Sequence, residues 1–192
     1  MDIQVKDFIL ASASPQRRRL LEQIGFAPKE VMSADIDEAE LPHERPLPYV
    51  RRMARQKAEA VALLKKGENI LASDTIITVG LRIVHKAKSP KEQEDVMRLL
   101  SGRNHKVITA VCLIDKNGKL TDRIVTTRIS MKRLSEKEIK EYVASNEWVG
   151  VCGYKIEGLL AGYVRQMVGS FTGVVGLPLY ETRNLILGAG IK

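Results

Sequence analysis

Asp74 is the first residue to carry a chemical argument. It lies inside Ile70-Leu71-Ala72-Ser73-Asp74-Thr75-Ile76-Ile77, a run that otherwise favours burial. A carboxylate in such a place is costly unless it is hydrogen-bonded, paired or bound to a metal. Misplaced charges concentrate at functional sites, and the plainer alternative is an outward-facing residue at a strand end. Lys57 breaks its own pattern in the same way. It follows Met53 by four residues and Ala54 by three, and precedes Val61 by four, so it falls on the apolar stripe of a helix. Either its ammonium serves a site, or a long stem lets it snorkel to water.

Ser12-Ala13-Ser14-Pro15-Gln16-Arg17-Arg18 reads as a strand end, a hydroxyl-rich turn and a helix start with arginines in the first turn. Free N–H groups at a helix N-terminus favour an anion, and arginine adds bidentate donors for phosphate. The helix dipole disfavours cations at this end, so the arginines need another reason to be there; a capped surface helix with solvated arginines is the alternative. This is not a P-loop, because G-x-x-x-x-G-K-[ST] is absent. Glu38 lies among Asp35, Asp37 and Glu40 in an acidic loop whose oxygens would suit a hard metal or simply face water. Lys86 follows a strand end beside His85, and is by default a surface lysine. His105 reads as a structural hydrogen-bonder, Trp148 as a core anchor, and Met32, Met53, Met97, Met131 and Met167 as core filler. No nucleophile–base pair emerges. Two hard carboxylates (Asp74, Glu38), the cations Arg17, Lys57 and Lys86, and a helix N-terminus fit metal-assisted hydrolysis of a phosphoanhydride better than acyl transfer.

The elements that must hold these residues follow from periodicity. Phe8 to Ala11 is a short apolar strand, and Gln16 to Ile24 a helix ending at Gly25, with Ser14 as N-cap and Pro15 at its first position. Residues 47–66 are the longest helix, with Val50, Met53, Ala54, Ala58, Val61 and Leu64 at helical spacing. Ile70 to Val79 is a strand, with Leu81 to Val84 its hairpin partner, and 90–100 is a helix stopped by Ser101-Gly102. Residues 106–114 and 120–131 form a hairpin about Lys116-Asn117-Gly118, and Ser135 with Glu138 makes a capping box for a helix to Ser145. Seven of the 14 glycines fall between 150 and 176, which points to irregular strands and tight turns near a ligand and not to helix. Leu179 to Leu187 closes the chain as a helix. Alternating helices and strands with hairpins give an α/β class with a mixed sheet, and no repeat or linker divides residues 1–192, which are read as a single domain.

Composition sets the outer bounds. The chain has 192 residues, 44% hydrophobic and 28% charged, with 31 Lys+Arg against 23 Asp+Glu for a net charge of +8. That apolar content excludes disorder as the dominant state, and no apolar run approaches the roughly 18 residues of a spanning helix. The N-terminal stretch Met1 to Asp7 has no secretory apolar region, and Cys112 and Cys152 read as reduced thiols, so a cytoplasmic protein is expected. His43, His85 and His105 lie far apart and no C-x-x-C occurs, which argues against zinc. The basic charge allows an anionic partner: nucleic acid, a membrane surface or a phosphorylated small molecule. Nucleic acid fits poorly, since Arg17-Arg18-Arg19 spread around a helix and 1 Trp, 5 Tyr and 3 Phe offer no stacking platform.

In order and spacing, a series of short stretches resembles the Maf family of nucleoside triphosphate pyrophosphatases from end to end. They are Leu10-Ala11-Ser12-Ala13-Ser14-Pro15 with Arg17, Ala34-Asp35-Ile36-Asp37-Glu38, Arg55-Gln56-Lys57-Ala58, Ala72-Ser73-Asp74-Thr75, Leu100-Ser101-Gly102-Arg103 with His105, Tyr142-Val143-Ala144-Ser145 and Val174-Val175-Gly176-Leu177-Pro178-Leu179. The resemblance implies an elongated mixed sheet in two lobes around a cleft, similar to inosine triphosphate pyrophosphatases. It implies hydrolysis of a nucleoside triphosphate to the monophosphate and pyrophosphate with Mg²⁺, with Mn²⁺ or Co²⁺ as substitutes, in a homodimer that needs neither nucleic acid nor membrane. By the same resemblance Asp74 is the active-site carboxylate and Glu38 supports the metal. Ser12, Ser14, Gln16, Arg17, Lys57 and Lys86 face the triphosphate, and Thr75 and Glu157 touch the base.

Some positions depart from the family pattern. Gln16 stands where many members have the first of two arginines, and Ala87 follows Lys86 where proline is usual. Glu157 replaces a glutamine of the dTTP/UTP branch and resembles the branch acting on 7-methyl-GTP, whereas Thr75-Ile76-Ile77 and Gly169-Ser170-Phe171-Thr172 resemble the dTTP/UTP side. The reading leans to dTTP and UTP, with 7-methyl-GTP as the alternative. The family name also carries a role in septum formation, so a regulator of cell division acting by protein contact is the competing class beside a nucleic-acid binder.

Overall fold

The computed structural model describes residues 4–191; Met1 to Ile3, part of the stretch read for a leader, lie outside the described residues. Seven strands form one mixed sheet in the order β2-β1-β3-β5-β6-β7, with β4 paired to β3. In chain order the strands are β1 Val5–Leu10, β2 Ala27–Val31, β3 Ile70–Val79, β4 Arg82–Val84, β5 Asn104–Ile114, β6 Leu120–Met131 and β7 Val164–Val168. The helices are α1 Pro15–Gln23, α2 Pro46–Leu64, α3 Pro90–Leu100, α4 Glu136–Ala144, α5 Phe171–Val175 and α6 Leu179–Gly188. β1 runs parallel to β2 and β3, and the remaining pairs are antiparallel, which is the mixed sheet expected.

Alternation along β3 and β5 assigns the two faces of the sheet. Ala72, Ile76, Ile108, Ala110 and Cys112 pack beneath Val50, Met53, Ala54, Ala58 and Val61 of α2. On the other face Leu71, Val111 and Leu113 meet Leu20 and Leu21 of α1 and Leu185 and Ile186 of α6. Farther along the same strands, Ile77, Val107 and Ile129 join Met97, Leu100, Ile139, Tyr142 and Trp148 in a separate cluster, the second lobe. β3 therefore starts in one lobe and ends in the other, with Asp74 and Thr75 between them.

One edge of β3 is paired throughout, from Ile70 opposite Ile114 to Thr78 opposite Lys106. Its other edge meets β1 only at Ile70 and Leu71, and β4 only from Ile77 to Val79. Residues 72–76 of that edge face no strand among the described residues, and the cleft opens there.

The structure adds what periodicity did not show. β2 and β7 are sheet edges; β2 holds Pro28, which an edge strand tolerates because the missing N–H is not needed by a neighbour. The glycine-rich stretch, expected to lack helix, contains the one-turn α5 and a turn of 3-10 helix at Leu159–Tyr163. Hydroxyls make this possible in α5: Ser170 Oγ accepts from Gly173 N at 3.0 Å, and Thr172 Oγ1 accepts from Leu179 N at 3.1 Å. The capping box of α4 is present as read, with Ser135 N donating to Glu138 Oε2 at 2.8 Å. No helix among the described residues is long and apolar enough to cross a membrane.

Candidate active site

α1 starts where β1 ends, at the mouth of the cleft. Ser14 occupies the N-cap position, but its side chain does not cap the helix; its hydroxyl instead donates to Gln16 Oε1 at 3.2 Å. The first-turn amides are thus left without a side-chain acceptor, as an anion-binding helix start requires. Arg17 turns back across this end. Its Nε donates to the Gly176 carbonyl at 2.9 Å, Nη1 to Ser12 Oγ at 3.1 Å and Nη2 to Thr75 Oγ1 at 3.4 Å. These bonds explain an arginine against the helix dipole, whereas Arg18 pairs with Glu22 on the surface. Burial lowers the Arg17 pKa, opposed by the charges of Asp74 and Glu38.

Lys57 ties the two carboxylates together. Its Nζ lies 2.6 Å from Asp74 Oδ1 and 2.7 Å from Glu38 Oε1. The Lys57 and Asp74 side chains are 12% and 13% exposed, against 47% for Glu38, so the first pair forms the floor and Glu38 the rim. α2 places Lys57 over the sheet face that Asp74 shares with Ala72 and Ile76, which is why a lysine sits on that apolar stripe. Tyr49, two turns earlier on α2, donates its hydroxyl to the Glu38 carbonyl at 2.8 Å and fixes the acidic loop. Burial raises the Tyr49 pKa to about 12, helped by Asp74 and Glu38, so the phenol stays protonated. Burial also works to raise the Glu38 pKa, but the hydrogen bond and charge of Lys57, with Lys86 and Arg17, hold it below the ordinary value.

The cleft consists of a deep cavity of about 150 Å³ with adjoining hollows of about 460 and 470 Å³, and Lys86 lines all three. Ser14, Gln16, Arg17, Lys57, Asp74, Thr75, Lys86 and Glu157 line the deep cavity. Ser12 and Glu38 line the hollow beside it. All ten residues singled out from the sequence are therefore brought to one place from the turn between β1 and α1, α1 itself, the acidic loop, α2, β3, the segment after β4 and the second lobe. Glu157 is exposed, on a wall formed by segment 150–157.

Several supporting residues escaped the sequence reading. Thr75 Oγ1 lies 3.0 Å from Thr109 Oγ1, and Thr109 donates to the Gly173 carbonyl at 2.7 Å. Ser73 Oγ donates to the Gly176 carbonyl at 2.9 Å. These hydroxyls alternate along β3 and β5 on the face away from α2, a period-2 signal that was legible. Gln93 is buried, four residues before Met97 and seven before Leu100 on one helix face, the same kind of misplacement that exposed Lys57. His105 is the structural hydrogen-bonder expected, with Nε2 2.6 Å from the Tyr154 hydroxyl. Cys112 and Cys152 are free thiols.

Nucleoside triphosphate hydrolysis generally draws on a divalent cation. No group of three or more His, Cys, Asp or Glu among the described residues could hold a metal alone. The oxygens of Asp74 and Glu38 nevertheless converge on one cationic nitrogen, a hard donor pair. Such a pair suits an ion like Mg²⁺, which takes one or two carboxylates and completes its shell with phosphate and water.

Comparison with known proteins gives the family. The profile of the family described as Maf-like protein matches residues 7–189. A dTTP/UTP pyrophosphatase from Caulobacter vibrioides is 46% identical over 185 residues, covering 96% of this chain and 96% of its own. A dTTP/UTP pyrophosphatase from Rhizobium johnstonii is 48% identical over 189 residues, covering 95% of this chain and 92% of its own. A solved nucleoside-triphosphatase / dITP/XTP pyrophosphatase from Mycobacterium abscessus overlays with a TM-score of 0.42 at 17% identity, over 68% of this chain and 76% of that one, too remote to bear on the site. With nearly its whole length matched by the family profile and by these relatives, the chain belongs to the Maf family.

Proposed function

We propose that the protein, as a single domain, hydrolyses nucleoside triphosphates at the α–β phosphoanhydride, releasing the monophosphate and pyrophosphate, with dTTP and UTP preferred. The observation that carries this reading is Asp74 held on Lys57 in the unpaired gap of β3, within a cleft rimmed by Arg17 and Lys86. Asp74 orients the attacking water and takes its proton as the bond from phosphorus to the bridging oxygen breaks. Arg17, Lys57 and Lys86, with the first-turn amides of α1, neutralise the charge that builds on the phosphate oxygens and the departing pyrophosphate. Ser12, Ser14 and Gln16 line the same end of the cleft. Asp74 and Glu38 are the carboxylates that would hold Mg²⁺, and the ion would supply further neutralisation of phosphate charge when bound.

The names of the relatives support the pyrimidine preference, and so do the Thr75-Ile76-Ile77 and Gly169-Ser170-Phe171-Thr172 stretches. A carboxylate at Glu157 would accept from the N3–H of thymine or uracil, and Thr75 lines the same cavity. A guanine edge also offers N–H donors to Glu157, so 7-methyl-GTP is the second reading. Release of pyrophosphate from dTTP, UTP, CTP, GTP and 7-methyl-GTP with Mg²⁺ separates the cases. Turnover of dTTP and UTP supports the first reading and preference for 7-methyl-GTP the second. No turnover by folded protein rejects both and returns the question to a binding role. We also propose a homodimer in the cytoplasm, supported by the family membership alone.

A further inference from the structure

The wall bearing Glu157 is fastened from behind by side chains outside the cleft. Gln93 of α3 donates Nε2 to the Gly153 carbonyl at 2.6 Å. His105 of β5 lies with Nε2 2.6 Å from the Tyr154 hydroxyl, and the two rings meet edge to face with centroids 5.5 Å apart. Both residues are buried, 1% and 2% exposed, close to the apolar cluster of Ile77, Met97, Leu100 and Val107. Each leaves its second polar atom without a partner. Among the described residues three buried side-chain polar atoms are unpaired, and two of them are Gln93 Oε1 and His105 Nδ1.

An orphaned polar atom in an apolar core is unfavourable, and methionine or phenylalanine would fill these volumes without one. Packing alone therefore does not account for a glutamine and a histidine here. What they have in common is their target: they hold consecutive residues of one segment. Gly153 has φ +67°, and a Cβ there would come within 2.7 Å of Ile77 Cδ1, so this backbone packs against a side chain of β3. Gly153 lies four residues before Glu157, and Tyr154, Lys155, Ile156 and Glu157 all line the deep cavity. Ile77 and Asp74 share β3, so the wall is indexed to the strand that carries the reacting carboxylate.

We propose that Gln93 and His105 are positioning residues for nucleotide selectivity, setting through the Gly153 carbonyl and the Tyr154 hydroxyl where segment 150–157 meets the base. This rests on the nucleotide reading above. Asp74, Lys57 and Arg17 are carried by β3, α2 and α1, outside this segment, so loss of either fastening loosens recognition of the base and leaves the chemistry in place.

The test uses Gln93→Met and His105→Phe in the full chain, with Gln93→Leu and His105→Leu as second variants should either of these fail to fold. For dTTP, kcat stays within about twofold while KM rises, and the kcat/KM ratio of dTTP over CTP shrinks by roughly fivefold or more. Hydrogen exchange of amides 150–157 speeds by about tenfold or more, with α2 and β3 unchanged. A selectivity ratio that stays fixed overturns the proposal, whether or not stability falls, and so does a fall in kcat and stability with no change in that ratio. If the wild-type protein turns over no nucleotide, the functional reading fails and selectivity with it. If it turns over dTTP normally and the variants free the segment without altering the ratio, only the present inference fails.

Discussion

Arg17 on α1 and Ser73 on β3 donate to the same acceptor, the carbonyl oxygen of Gly176, each at 2.9 Å. The segment after α5 is thereby locked to both the helix start and the strand that form the cleft. Gly176 itself has φ +129°, and a Cβ added there would stand 3.4 Å from Arg17 Nε. Gly176→Ala is expected to lower stability by about 1–3 kcal/mol through backbone strain, and to raise KM by displacing Arg17. Urea unfolding and substrate titration check the two effects. Unchanged values for both would mean that this segment does not hold Arg17.

Lys57→Met keeps the stem of the side chain and removes the cation between Asp74 and Glu38. Two carboxylates are then left near one another, one of them nearly buried. Breaking such a pair costs about 3–5 kcal/mol when fully buried, and partial exposure here brings the expectation to about 2 kcal/mol. The rate of nucleotide hydrolysis should fall by roughly a hundredfold or more. Thermal melts and initial rates measure both.

His105 gives a pH signature. Burial lowers its pKa from the ordinary 6.5 to about 4. Between these values the unfolded chain binds a proton that the folded protein refuses, so stability falls as pH drops from about 6.5 towards 4. At 1.36 kcal/mol per unit the full window amounts to about 3 kcal/mol. Above pH 6.5 the histidine is neutral in both states and contributes no slope. In His105→Phe this part of the acid limb should vanish, while the carboxylate-driven part remains. Urea midpoints at a series of pH values for both proteins make the comparison, and parallel curves would contradict it.

Thr109→Val removes a hydroxyl that donates to the Gly173 carbonyl at 2.7 Å and stands 3.0 Å from Thr75 Oγ1. The Gly173 carbonyl keeps its bond from Gly176 N at 3.2 Å, so loss of the hydroxyl should cost about 0.5–1.5 kcal/mol. Thr109→Ser retains the hydroxyl and should recover most of the loss. Equal stabilities for the valine and serine variants would show that the hydroxyl is not what matters at this position.

How much of this was legible in the sequence depended on whether a residue contradicted its surroundings. Asp74 and Lys57 stood out because each carries a charge on an apolar pattern, and the structure pairs them at 2.6 Å. Arg17 was visible as a cation at the wrong end of a helix, but its partner Gly176 is 159 residues away, and no local pattern predicts such a contact. Strands with β-branched alternation were readable. β2, with Pro28, Lys29 and Glu30 at a sheet edge, carries no such signal, because an edge strand is half solvated. α5 was hidden for a related reason: glycine opposes helix locally, and hydroxyls of Ser170 and Thr172 stabilise the single turn only in the folded context. The Ser14 side chain illustrates the reverse error, since a favoured capping residue at the expected position does not cap.

Asp74→Asn, compared with the wild-type protein for pyrophosphate release from dTTP with Mg²⁺, tests whether Asp74 activates the water. The substitution keeps the size of the side chain and a hydrogen-bond acceptor for Lys57, and removes the group that takes a proton from water. The wild type should release one pyrophosphate per dTMP, and the variant should show a kcat lower by roughly 10²–10⁴-fold with its secondary structure retained. Equal rates for the two proteins, or release of orthophosphate in place of pyrophosphate, would contradict this reading.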